Sequence, residues 1–226
     1  MVIMYDTERL KLISPNRLYL DSIMDYQKRN KEFLEIWEPK RPETFYTAEY
    51  QRAWIKAEQK EIKKLSGFCM IIVKASEPWR VIGTIKLSNI LYGNFCSCFL
   101  GYRLDKNETN KGYMTEAVQK MLQIAFDDLN LHRVEASVIP SNEPSKAVLK
   151  KAGFQYLGVS SSYLKIYGEW HRHELYEYIN PNDWKVYRLN DGGREVLDVS
   201  LEYPWRNSEY LRETYVKYYW ECVRLS

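Results

Sequence analysis

Thr109-Asn110-Lys111-Gly112-Tyr113-Met114-Thr115-Glu116-Ala117 follows closely on the apolar segment Cys98-Phe99-Leu100-Gly101-Tyr102-Arg103-Leu104 and opens a run of helical periodicity. A strand that ends in a short glycine-containing loop opening a helix aims several free backbone N–H groups at one spot. Together with the helix dipole they make a site for a phosphate or pyrophosphate. From Gly112 to Leu129, Met114, Ala117, Val118, Met121, Leu122, Ala125 and Leu129 recur at i, i+3, i+4 spacing, a long apolar stripe. Beyond it, Arg133–Ile139 reads as a strand ended by Pro140. Asn142-Glu143-Pro144-Ser145 then opens a second helix, which Gly153 terminates in a left-handed position.

Working outward, Gln155–Ile166 and Glu169–Ile179 alternate and are expected to pair across a Tyr167-Gly168 hairpin. Toward the N-terminus, Thr7–Ile13 reads as a first strand. A helical region runs from Pro15 to about Asn30 with Leu18, Ile23 and Met24 inward, and Thr47 caps a helix to about Leu65. Phe33-Leu34-Glu35-Ile36-Trp37-Glu38-Pro39 is too apolar for an idle loop and too proline-flanked to continue a helix. Phe68–Lys74 and Val81–Asn89 read as strands around a turn marked by Pro78, and Tyr92-Gly93-Asn94 turns the chain into Phe95–Leu104. The order β-α-α-β-β-β-α-β-α-β-β implies an α+β fold: a mixed, mostly antiparallel sheet with helices on both faces. At the C-terminus, Lys185–Leu189 and Arg194–Val199 flank Asn190-Asp191-Gly192-Gly193, a hairpin signal, and Ser208–Leu225 reads as a tyrosine-bearing helix.

With 226 residues the chain can bury a full core, and one domain with an appendage is expected. Its net charge of +3, with no Lys/Arg run longer than two, leaves no electrostatic footprint for direct nucleic-acid binding. Cys96 and Cys98 face the same side of a strand and cannot readily bridge. No Cys/His spacing resembles a metal site; His171 and His173 alternate in a strand and His132 is distant. Met1-Val2-Ile3-Met4-Tyr5-Asp6 lacks a charged n-region, and no apolar run approaches the ~18 residues of a membrane span. A cytoplasmic protein with reduced thiols and no membrane partner is expected.

The element order is that of the GNAT fold, and the motifs resemble the ribosomal-protein-alanine acetyltransferases of the RimJ/RimL branch. The residues that carry the resemblance begin with Asn30…Phe33-Leu34…Trp37-Glu38-Pro39, Ile82-Gly83, Ser88-Asn89 and Cys98-Phe99-Leu100-Gly101-Tyr102. It continues through Gly112-Tyr113-Met114-Thr115-Glu116-Ala117, Leu131-His132-Arg133, Asn142…Ser145 and Tyr167-Gly168-Glu169-Trp170…His173. It covers about residues 7–184, so an acetyltransferase domain over 1–184 and a C-terminal extension over 185–226 are expected. The superfamily's phosphate loop usually reads Gln/Arg-x-x-Gly-x-Gly/Ala. Here Thr109 replaces the first residue and Met114 the last, and Asn110 stands where the branch usually has Gly. Backbone N–H groups do the binding, and Asn tolerates a positive φ better than most residues.

The resemblance implies acetyl-CoA as co-substrate. Its pantetheine arm would pair with backbone groups at Tyr102, Arg103 and Leu104, and its pyrophosphate would sit on the amides of Asn110, Lys111, Gly112, Tyr113, Met114 and Thr115. Asn142 would bond the pantetheine from the opposite side, and a backbone N–H near Leu100 would polarise the acetyl carbonyl. Ser145 stands where the branch carries a hydroxyl near the thiolate, a general acid; the alternative is a first-turn residue bonding backbone. Leu149 occupies the place where many relatives have a tyrosine. Where some GNAT enzymes have a glutamate base, this chain has Phe99. Glu135, on the next strand, is either a base acting through water or an ion-pair partner for Arg133 or a lysine. Glu116 reads as mid-helix and structural.

Without an obvious strong base the chemistry suits an α-amine. An amine of pKa ~7.8 is about a tenth neutral at pH 7, whereas a lysine at ~10.4 is under ~0.1% neutral, a gap of roughly 3.5 kcal/mol. Trp37, Glu38, Phe99, Tyr163 and Trp170 are candidates to line the acceptor groove, each with a packing alternative. The leading expectation is an acetyl-CoA-dependent N-acetyltransferase acting on a protein N-terminus, as monomer or homodimer. A polyamine or aminoglycoside acetyltransferase and a non-catalytic CoA-binding module are the alternatives.

Overall fold

The computed structural model describes residues 2–39, 41–166 and 169–182. The turn at Tyr167-Gly168, the 185–199 hairpin and the Ser208–Leu225 helix therefore lie outside the described residues. The elements run β1 (Met4–Asp6), β2 (Leu10–Ile13), α1 (Leu20–Arg29), α2 (Lys31–Glu35), α3 (Ala48–Lys63), β3 (Gly67–Lys74), β4 (Glu77–Leu91) and β5 (Ser97–Leu104). They continue as α4 (Tyr113–Gln123), β6 (Arg133–Val138), α5 (Glu143–Ala152), β7 (Gln155–Ile166) and β8 (Glu169–Ile179). The strands form one sheet in the order β1-β2-β3-β4-β5-β6-β8-β7, antiparallel except for the β5–β6 pair. This is the expected mixed sheet.

β3 explains why the sheet is covered on both sides. Phe68, Met70 and Ile72 enter the core beneath α4 and α5, while Ile71 and Val73 join Ile23 of α1 and Ile55 of α3 on the other face. A central strand buried on both faces carries a continuous apolar run rather than an alternating one. Truncating one of these side chains to alanine costs about 2–5 kcal/mol.

Several local expectations are corrected. The first strand is two strands, because Thr7 N–H donates to the Leu10 carbonyl and turns the chain back on itself. Leu18 is 79% exposed, lying in a short 3-10 turn ahead of α1 rather than on its apolar stripe. Phe33 and Leu34 are helical, in α2. Pro78 sits inside β4, where the register with β3 slips and no ladder donor is demanded of it. The helix after Gly112 is α-helical only to Gln123. Ile124–Asp128 is a π-turn whose Leu129 N–H reaches back to the Ile124 carbonyl at 3.0 Å.

Candidate active site

β5 and β6 run parallel through Ser97↔Arg133, Cys98↔Val134 and Phe99↔Glu135, and the pairing stops there. Beyond this rung β5 continues to Leu104 and β6 to Val138 with their facing edges unpaired. Buried backbone polar groups need partners, so the fork is a place where an extended polar ligand can supply them. A cavity of about 740 Å³ opens from it. Leu100–Leu104 of β5 form one wall; Ala136–Ile139 with Asn142, Pro144 and Ser145 at the head of α5 form the other.

At one end of the cavity stands the loop before α4. Asn110 has φ 61° and Gly112 φ 80°, two left-handed residues that turn the chain so that Gly112 caps α4. The first amides of α4 have no intrahelical acceptor and carry the positive end of the dipole. The loop is braced from outside the cavity. The Arg9 guanidinium donates to the Lys111 carbonyl at 3.0 Å and to Glu116 at 2.7 Å, and Thr7 Oγ1 donates to the same carboxylate at 2.6 Å. Burial pushes the Glu116 carboxyl upward, but the Thr7 hydroxyl and the Arg9 N–H and guanidinium together hold it below the usual carboxylate range. Glu116 is thus structural as expected, though in the first turn of α4 rather than mid-helix. Asp105 and Glu108, both buried, tie the preceding turn to Arg29, Lys74 and Arg80. Burial raises these two carboxyls; hydrogen bonds, from the Asn107 N–H to Asp105 and from Lys111 and Lys74 to Glu108, bring them below their ordinary values.

In the middle of the cavity two hydroxyls meet. Tyr102 Oη lies 2.9 Å from Ser145 Oγ and donates to the Ser145 carbonyl at 3.1 Å. Burial pushes the Tyr102 phenol up to about 12, with the Ser145 contact pulling the other way. Asn142 caps α5 by accepting from the Ser145 N–H at 3.1 Å, which fixes Ser145 at the cavity wall. Leu149 is fully buried below it.

The far end is built from distant segments: Phe33, Trp37 and Glu38 from the α2 region, and Leu164, Lys165, Ile166 and His173 from β7 and β8. Glu38 accepts from Arg41 at 3.0 Å and from Arg103 at 3.3 Å, which ties this loop to β5. His173 is 3% exposed; its Nδ1 lies 3.1 Å from the His171 carbonyl, and the Tyr163 ring packs on it at 5.6 Å.

Of the expected residues, Leu100, Tyr102, Arg103, Leu104, Asn110, Gly112, Tyr113, Met114, Thr115, Asn142, Ser145, Trp37 and Glu38 line the one cavity. Five do not. Lys111 turns its side chain to Glu108, Nζ to Oε2 2.9 Å, leaving only its backbone to the loop. Phe99 and Glu135 form the last paired rung below the fork, and Glu135 forms an ion pair with Arg133, Oε1 to Nε 2.9 Å, the ion-pair alternative. Tyr163 stands behind His173. Trp170 is 63% exposed, on the opposite face of β8 from His171 and His173 because neighbouring strand residues alternate. Sequence reasoning missed His173, the Tyr102 hydroxyl and the Arg9–Glu116 brace. The alternation of His171 and His173 was visible; what was not is that β8 runs along the fork.

Among the described residues no group of three or more His, Cys, Asp or Glu could hold a metal, and no helix is long and apolar enough to cross a membrane.

The profile of the acetyltransferase (GNAT) domain family matches residues 9–155. The chain is similar to the probable N-acetyltransferase YjcK of Bacillus subtilis (strain 168), 40% identical over 157 residues, 70% of this chain and 86% of that protein. It is 31% identical over 162 residues to the [ribosomal protein uS5]-alanine N-acetyltransferase of Escherichia coli (strain K12), 72% of this chain and 82% of that protein. Among solved structures, ribosomal-protein-S5-alanine acetyltransferase from Vibrio fischeri superposes with a TM-score of 0.75 at 34% identity, over 81% of this chain and 99% of that one. Mycobacterium smegmatis RimJ in complex with CoA-disulfide gives a TM-score of 0.71 at 25% identity, over 76% of this chain and 83% of that one.

Proposed function

The chain belongs to the GNAT acetyltransferase family and is an N-acetyltransferase, and from that premise we propose that it moves an acetyl group from acetyl-CoA to the α-amine of a protein N-terminus, of the ribosomal-protein-alanine type. One observation carries the reading: a single cavity runs from the amides around Gly112, through the β5–β6 fork, to the aromatic end at Trp37. The parts fit the co-substrate. The unpaired edges of Tyr102, Arg103 and Leu104 suit an extended amide-bearing arm, the Asn110–Thr115 loop suits a pyrophosphate, and a Cβ built on Gly101 meets nothing within 4 Å.

Within that arrangement the backbone N–H near Leu100 polarises the acetyl carbonyl, and Asn142 holds both the arm and the first turn of α5. Ser145 donates a proton to the departing sulfur, with the Tyr102 hydroxyl behind it to make good the loss. The far end sets Phe33, Trp37, Leu164 and Ile166 beside Glu38, held by two arginines, and beside Lys165 and His173, a mix of apolar and polar groups that suits the first residues of a peptide. The relatives named for alanine N-acetylation of a ribosomal protein support the acceptor class. The acetyltransferase domain is taken as residues 1–184, with 185–226 as a C-terminal extension.

Thiol release from acetyl-CoA tests this across a panel: peptides with a free N-terminal alanine, the same peptides N-blocked with an internal lysine, a polyamine and an aminoglycoside. The free N-terminus is expected to react fastest. A faster rate on the lysine-only peptide or on a small amine overturns the acceptor assignment.

A further inference from the structure

The cavity poses a question that its carboxylates do not answer. Acyl transfer to an amine needs an acceptor for the amine's proton, and among the described residues Glu38 is the only carboxylate on the cavity wall. Its Oε2 accepts from Arg41 and Arg103 at 3.0 and 3.3 Å, and its Oε1 lies 3.3 Å from Arg103 Nε. Glu135 lies below the fork, held by Arg133. Lys165 and Lys151 on the wall are cations with no lone pair to offer.

We infer that His173 is the catalytic base, its Nε2 taking the proton from the acceptor amine. The carbonyl of His171 can only accept, so the 3.1 Å contact places the proton of the neutral ring on Nδ1 and leaves the lone pair on Nε2. The ring is 3% exposed yet lines the acceptor end of the cavity. The Tyr163 ring at 5.6 Å restrains it from behind. Charged and titratable groups on the same sheet face are Glu135 and Arg133 of β6, which pair with each other, and Glu169, His171 and Glu177 of β8, Glu177 lying 4.0 Å from Arg133; Lys165 of β7, in register with Trp170, also lines the cavity.

The step balances. The amine lone pair forms the C–N bond to the thioester carbonyl carbon and one N–H proton passes to Nε2. As the C–S bond breaks its electron pair stays on sulfur, which takes a proton from Ser145 Oγ. Water restores Ser145 through Tyr102 and receives the proton from the imidazolium. The assignment rests on the acetyl-CoA reading above.

The test is His173→Asn, whose amide nitrogen can still donate to the His171 carbonyl but which has nothing at the Nε2 position. Acetyl-CoA affinity by calorimetry should stay within about twofold while kcat falls about 10²–10³-fold. The acid limb of the wild-type kcat profile should vanish, and added imidazole should restore part of the rate. Retention of kcat and of the acid limb overturns the inference while the acetyl-CoA reading stands. A wild-type protein that neither binds nor turns over acetyl-CoA defeats that reading and this one with it. Should the variant fail to fold, the histidine 15N spectrum of the wild type decides. Nδ1–H with a bare Nε2, perturbed when CoA joined through an acetyl link to a peptide N-terminus is added, supports the inference; an Nε2–H tautomer or an unmoved signal overturns it.

Discussion

The two ends of the cavity are built on opposite principles. The loop end, Thr109 to Glu116, is one continuous stretch whose backbone makes the site, with the side chains of Arg9, Glu108 and Glu116 bracing it from outside. The acceptor end is assembled from side chains of α2, β5, β7 and β8, far apart in the chain. A backbone site tolerates side-chain change so long as its conformation survives. A side-chain site tolerates backbone drift poorly, because every group arrives on a different element. On the proposed reading, the pair separates two kinds of recognition: a co-substrate read by amides and an acceptor read by side chains.

The sharpest way to break the contrast is Gly112→Val. A branched side chain at φ 80°, where a Cβ meets Arg9 Nη2 at 3.3 Å, carries strain on the order of 1–3 kcal/mol. Acetyl-CoA affinity by calorimetry should fall about 10–100-fold. A Tyr113→Ala change, by contrast, leaves the amides in place and should cost far less; equal losses would show that side chains make the loop site after all.

Glu38→Gln attacks the other end. It removes the charge facing Arg103 and Arg41 and frees the α2 loop from β5. Leaving a partly buried charge without its partner costs about 1–3 kcal/mol, so kcat/KM for the peptide should drop roughly tenfold. Acetyl-CoA affinity, measured separately, should be unchanged; a parallel loss there would mean the two ends are not independent.

Glu116→Gln loosens the brace without touching an amide, and acetyl-CoA affinity should weaken by about threefold, an effect of ~0.7 kcal/mol. The same carboxyl predicts a pH dependence. Glu116 and Glu108 have native values below their ordinary 4.5, so the unfolded state binds protons more readily. Their contribution is present above about pH 4.5 and lost as pH falls through the depressed native values. The midpoint of thermal unfolding should therefore drop below that pH, and Glu116→Gln should flatten the drop. A pH-independent midpoint over that range would contradict the brace.

The smallest effect belongs to Trp170→Ala. The indole is 63% exposed on the face of β8 away from His173, so kcat/KM for acetyl-CoA and peptide should stay within about twofold. A loss of tenfold or more would return Trp170 to the acceptor groove.

Legibility in the sequence divides along the same line. The loop could be read from Asn110, Gly112 and the stripe that begins at Met114 because local rules govern it: left-handed residues, a helix N-terminus and a 3.6-residue period. The β7 and β8 boundaries followed equally from alternation. The acceptor end is less legible because residue type points to Phe99, Glu135, Tyr163 and Trp170, whereas membership depends on where the fork opens and on which face of a strand each residue stands. The fork opens one residue after Phe99, and that single rung removes both Phe99 and Glu135. Trp170 is lost to parity, and His173, three residues on, is gained by opposite facing.

Most of the strands and helices, and the left-handed turn into α4, were determined by the sequence alone, since each depends on contacts within about a dozen neighbouring residues. Only the tertiary structure decided that Tyr102 meets Ser145, that Arg9 grips Glu116 and that His173 rather than Glu135 reaches the cavity. Those contacts join residues whose separation is set by strand register and sheet order, and register is a property of the whole sheet, which no single stretch of chain contains.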